Sequence, residues 1–104
     1  MSYEEQQLRI NEGEKRLELA VGDSTAFIDY KLSGHTLFLI HTEVPPELEG
    51  KGVGSAIVQK ALQYAKDNSY QIVPLCAFVQ SYLKRHPEWK ELVAPDADRY
   101  LNNL

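Results

Sequence analysis

From Arg16 to Ile40 polar and apolar residues tend to alternate, the repeat of a chain whose successive side chains face opposite sides of a sheet. Arg16-Leu17-Glu18-Leu19 and Thr25-Ala26-Phe27-Ile28-Asp29-Tyr30 predict strands, and Thr36-Leu37-Phe38-Leu39-Ile40 predicts a more buried one. Turn-forming residues separate them at Asn11-Glu12-Gly13, Gly22-Asp23 and Ser33-Gly34. Gaps this short imply hairpins, so the first half reads as an antiparallel meander of three or four strands.

The rhythm changes at Pro45-Pro46, where neither residue donates to a ladder, and a loop begins. Between Ser55 and Asp67 the apolar residues Ile57, Val58, Ala61, Leu62 and Ala65 recur at helical spacing, with Asn68 as the stop. The run Gln71 to Val79 predicts a buried strand whose ladder is interrupted at Pro74. Gln80 to His86 predicts about two turns of helix ended by Pro87. Pro95 to Leu104 is polar and reads as a loosely docked tail. The class is α+β: a mixed sheet built from an N-terminal antiparallel meander, a β-loop-α-β unit and a short C-terminal helix. Residues 1–104 read as a single domain without repeats.

Composition narrows the function. A chain of 104 residues with 43% hydrophobic and 25% charged residues is ordinary for one globular domain. A net charge of −4 offers no general attraction to nucleic acid or anionic lipid, which speaks against either as partner. Cys76 is the only cysteine, so an intrachain disulfide is excluded and no metal site with paired thiolates is expected. Met1-Ser2-Tyr3-Glu4-Glu5 lacks the features of a signal peptide and no apolar run matches a bilayer span; a cytoplasmic location is the expectation.

The candidate chemistry starts at Glu49-Gly50-Lys51-Gly52-Val53-Gly54-Ser55. Alternate glycines ahead of a helix let backbone N–H groups converge where the helix dipole favours an anion. A P-loop is absent, because the required spacing from Gly50 reaches Ser55 rather than Gly-Lys-Ser/Thr. A dinucleotide fingerprint fails too, lacking its third glycine and a parallel strand upstream. A tight turn that only permits close helix packing is the alternative.

The segment Val44-Pro45-Pro46-Glu47-Leu48-Glu49-Gly50-Lys51-Gly52-Val53-Gly54 resembles the acyl-CoA-binding motif of the GNAT superfamily. His41-Thr42-Glu43-Val44-Pro45, Pro74-Leu75-Cys76 and Arg85-His86-Pro87-Glu88 are similar, in the same order, to a compact subgroup of that superfamily, over roughly residues 15–93. The resemblance implies acetyl-CoA as cosubstrate, with Val44, Gly50, Lys51, Gly52, Val53, Gly54 and Ser55 as the cofactor-binding set. Glu49 departs from the usual Gln or Arg; turned inward, its carboxylate would repel a pyrophosphate, so it is expected to face solvent.

The resemblance also implies acyl transfer in a cleft where the strand ending at Val44 parts from the one containing Cys76, with backbone N–H groups near Glu43 and Val44 polarising the thioester carbonyl. His41 and Glu43, two residues apart on one strand face, are candidates for the base. Tyr82 is the candidate general acid. Cys76 would accept or position the acetyl group. Each has a purely structural alternative: a hydrogen-bonded His41, a solvated Glu43, a core Tyr82 and a packed Cys76. The leading expectation is an N-acetyltransferase whose amine acceptor, a small molecule or a protein lysine, is unknown. The short hairpin gaps leave no room for helices that would wall an acceptor pocket, so an open surface or a partner protein would serve. A noncatalytic CoA-binding regulatory module and a ligand-free interaction domain are the alternatives.

Overall fold

The computed structural model describes residues 3–97. Strands β1 (Arg9–Asn11), β2 (Arg16–Val21), β3 (Ser24–Ser33) and β4 (Thr36–Glu43) form an antiparallel meander. A 3-10 turn (Pro46–Leu48) and helix α1 (Val53–Asp67) lead to β5 (Gln71–Pro74), which lies parallel to β4. Helix α2 (Ala77–Arg85) and a second 3-10 turn (Pro87–Leu92) follow. The sheet order β1-β2-β3-β4-β5 follows the chain. This is the α+β mixed sheet expected from the sequence.

Alternation decides which face is buried. Leu17, Leu19, Ala26, Ile28, Leu37 and Leu39 are inaccessible and join Ile57, Val58, Ala61, Leu62 and Ala65 of α1 in one core. Each large apolar side chain so enclosed is worth about 1.5–3 kcal/mol relative to exposure.

One irregularity matters for the site. The β3–β4 register runs Asp29↔His41 and then Tyr30↔Leu39, so Ile40 is an extra residue in β4. It reverses the alternation. Before it Leu37 and Leu39 face the core; after it Thr42, paired with Ile28, takes that side. His41 and Glu43, paired with Asp29 and Phe27, are on the face away from α1.

Several expectations need correction. The strand read through Val79 ends at Pro74, and Ala77 to Val79 already belong to α2. Pro74 has no N–H to continue the ladder; instead the N–H groups of Leu75 (2.9 Å) and Cys76 (3.1 Å) both turn onto the Leu39 carbonyl. Helix α1 starts at Val53, not Ser55, so Gly54 lies in its first turn. Of the predicted tail, Ala97 packs with Val73 and with Ala94, the residue just before the tail, whose N–H bonds Ile72 O at 2.8 Å. The rest of that predicted tail, 98–104, lies outside the described residues.

Candidate active site

The glycine loop adopts a conformation few other residues tolerate. Gly50 and Gly52 have φ of 77° and 78°, and a Cβ at either would meet nothing within 4 Å. The glycines are therefore required by backbone angle, and the space beside them is open. Gly52 is the N-cap of α1, no side chain caps the helix, and the first internal bond is Ala56 N–H to Gly52 O at 3.0 Å. The N–H groups of Val53, Gly54 and Ser55 consequently lack intrahelical acceptors.

These residues line a groove of about 360 Å³ that is also lined by Thr42 and Glu43 at the end of β4 and by Val44 just after it. Phe78 of α2, 40% exposed, borders it. Its ring lies so close to Gly54 that a Cβ there would sit 2.6 Å from Phe78 Cζ. The groove follows from the parting of β4 and β5: pairing stops at Leu39↔Pro74 while β4 runs on to Glu43.

The predicted site residues divide into groups. Glu43, Val44, Gly50, Gly52, Val53, Gly54 and Ser55 share this groove, as does Glu49, which is exposed. Lys51 is exposed; its carbonyl accepts a 2.7 Å bond from the buried Tyr3 hydroxyl, which fastens the N-terminal segment to the loop. His41 and Glu43 come together, Nε2 to Oε2 at 3.8 Å, with both side chains more than half exposed. Cys76 is buried at the N-cap of α2, and its thiol donates to Thr42 Oγ1 at 3.3 Å. Thr42 thus stands between the groove and the thiol. Tyr82 lines a different groove, between α1 and α2, stacked on His86 with ring centroids 4.3 Å apart. Burial chiefly, with the nearby Glu88 charge, pushes its hydroxyl pKa up against the opposing pull of Arg85.

Residues 16–92, from β2 to the end of the second 3-10 turn, match the family model of the GCN5-related N-acetyl-transferases. The chain belongs to this family. Among curated proteins it is similar to Protein NATD1 of Xenopus tropicalis, 26% identical over 85 residues that span 77% of this chain and 78% of that protein. Among solved structures it is similar to the NMR solution structure of a GCN5-like protein from Staphylococcus aureus, with a TM-score of 0.62 and 24% identity, covering 85% of this chain and 89% of that one. The second likeness speaks to the fold. For this GCN5-related chain, family membership supports acyl transfer. Among the described residues no group of His, Cys, Asp and Glu is arranged to hold a metal, and no helix is long and apolar enough to cross a membrane.

Sequence reasoning passed over Thr42, Phe78 and Tyr3. Thr42 stands in the sequence between two candidates with no role of its own, because a bulge leaves no local mark. Phe78 was read into a strand. Tyr3 reaches Lys51 across 48 positions, beyond any local pattern.

Proposed function

We propose that the protein is an acetyl-CoA-dependent N-acetyltransferase. The observation that carries this reading is the uncapped start of α1, its left-handed glycines opening onto a groove where β4 and β5 part. The N–H groups of Val53, Gly54 and Ser55 suit the pyrophosphate of the donor, and Gly50 and Gly52 leave room for its approach. Lys51 adds a positive charge nearby. The strand end from Thr42 to Val44 would run beside the pantetheine arm and supply backbone N–H to the thioester oxygen.

His41 and Glu43 serve as the proton-accepting pair on the open face, where an amine arrives without disturbing the core. The amine nitrogen bonds the acetyl carbon and gives up a proton to this pair, the carbon–sulfur bond breaks, and the leaving thiolate takes a proton from water. Cys76, bonded to Thr42, offers a second route. Its sulfur would take the acetyl group, releasing CoA as the thiol, and pass it to the amine. The acceptor class is an amine, on a small molecule or a protein lysine.

Calorimetric titration with acetyl-CoA, CoA and ATP in parallel tests the reading. Saturable binding of the first two with little for ATP is expected; no binding of any would overturn it. Intact mass after mixing with acetyl-CoA alone distinguishes the routes: an added acetyl group lost in Cys76→Ala supports the thiol route, and an unchanged mass supports direct transfer.

A further inference from the structure

The glycine loop is held by a residue that lies outside the stretch matched by the family. Tyr3 precedes residues 16–92, yet its ring is buried in the core and its hydroxyl donates to the Lys51 carbonyl at 2.7 Å. That carbonyl belongs to the peptide joining Lys51 to Gly52. The peptide is trans, so its N–H points opposite to its C=O. Fixing the carbonyl therefore fixes the Gly52 N–H, which is turned away from Tyr3. This N–H meets no acceptor among the described residues. Tyr3 borders the groove between α1 and α2 but not the groove beside β4, whereas Gly52 borders both. The side away from Tyr3 is the one where the N–H groups of Val53, Gly54 and Ser55 also lack intrahelical acceptors.

The loop does not set this direction by itself. Gly52 has a φ of 78°, and glycine adopts either sign of φ about as readily, so the Lys51–Gly52 peptide can turn over while its neighbours stay in place. Turned over, it would present a carbonyl oxygen to an anion in place of a donor, and the bond to Tyr3 would break. We propose that Tyr3 is a positioning residue for the acyl donor. By holding the Lys51 carbonyl it keeps the Gly52 N–H toward the groove beside β4, as a fourth backbone donor to the pyrophosphate alongside Val53, Gly54 and Ser55. The inference rests on the acetyl-CoA reading above and adds a dependence: the phosphate contacts need a tether 48 positions away in the chain.

Amide NMR and calorimetric titrations of the native chain and Tyr3→Phe, which keeps the ring, test this with CoA and with pantetheine, which carries no phosphate. In the native chain the Gly52 amide proton is expected to move downfield with those of Val53, Gly54 and Ser55 as CoA saturates, the mark of a charge-assisted bond. Tyr3→Phe should bind CoA about fivefold more weakly, with a smaller Gly52 shift, because one such bond is no longer held in line. Its response to pantetheine at the Val44 amide should match that of the native chain. A Gly52 amide that stays still while those of residues 53–55 move, unchanged CoA affinity in Tyr3→Phe, or an equal loss for CoA and pantetheine would overturn the proposal and leave the acetyl-CoA reading intact. No heat and no amide shift with CoA in the native chain would overturn both.

Discussion

At the residue scale, Gly52 carries two requirements at once, a left-handed backbone and an open space where a ligand would sit. Because nothing lies within 4 Å of the missing Cβ, substitution there is resisted by backbone angle alone. Gly52→Ala should cost about 1–2 kcal/mol in urea unfolding, and Gly52→Asn less, since Asn tolerates this region. Equal costs would point to a clash instead. Tyr3 acts at the same scale: Tyr3→Phe keeps the packed ring and removes the bond to the Lys51 carbonyl. A loss of about 1 kcal/mol is expected, with faster amide exchange along residues 49–52. The glycines were legible in sequence because positive φ selects for them. Tyr3 was not, because its partner is remote.

At the element scale, the bulge at Ile40 sorts the candidate residues. Without it, period two would carry His41 and Glu43 onto the same face as Leu37 and Leu39, into the core. With it, Thr42 meets Cys76 and the two titratable groups stay in water. The sequence showed that His41 and Glu43 share a face, but which face depended on one inserted residue that no composition marks. Helix α1 was read correctly along most of its length because its apolar stripe meets an apolar sheet. Leu62, inaccessible in the centre of that contact, should lose about 2–5 kcal/mol on replacement by Ala. Gln63→Ala, one residue on and exposed, should change stability by less than about 0.5 kcal/mol. Parallel thermal melts check both. The strand–helix boundary at Pro74 was misread for a different reason: Ala77-Phe78-Val79 is as apolar as a strand, and only the missing N–H and the parting of β4 and β5 decide otherwise.

At the scale of the whole molecule, the pyramid of dependence runs from one edge of the sheet to the other: β5 and the glycine loop position the site, while β1 closes the far edge with only three residues. Beside the β1–β2 ladder and the packing of Leu8 and Ile10 on the core, that edge is tied by Glu18 of β2, which accepts from Arg9 Nε at 2.8 Å and Asn11 Nδ2 at 3.1 Å. The hydrogen bond from Arg9 lowers the Glu18 pKa most, the bond from Asn11 adds to it, and burial opposes them. A carboxyl group with a folded pKa below its unfolded value of 4.5 contributes stability that is fully present above that value. The contribution is lost as pH falls through the lowered folded pKa. The Glu18 side chain is only 10% exposed but Arg9 is 72% exposed, so water weakens the pair and about 1 kcal/mol is expected rather than the value for a fully enclosed one. Urea unfolding of the native chain and Glu18→Gln should therefore differ by about 1 kcal/mol near pH 7 and converge as pH falls below 4.5 and through the lowered folded pKa. A difference that persists unchanged in acid would mean that Glu18 holds β1 through packing rather than charge.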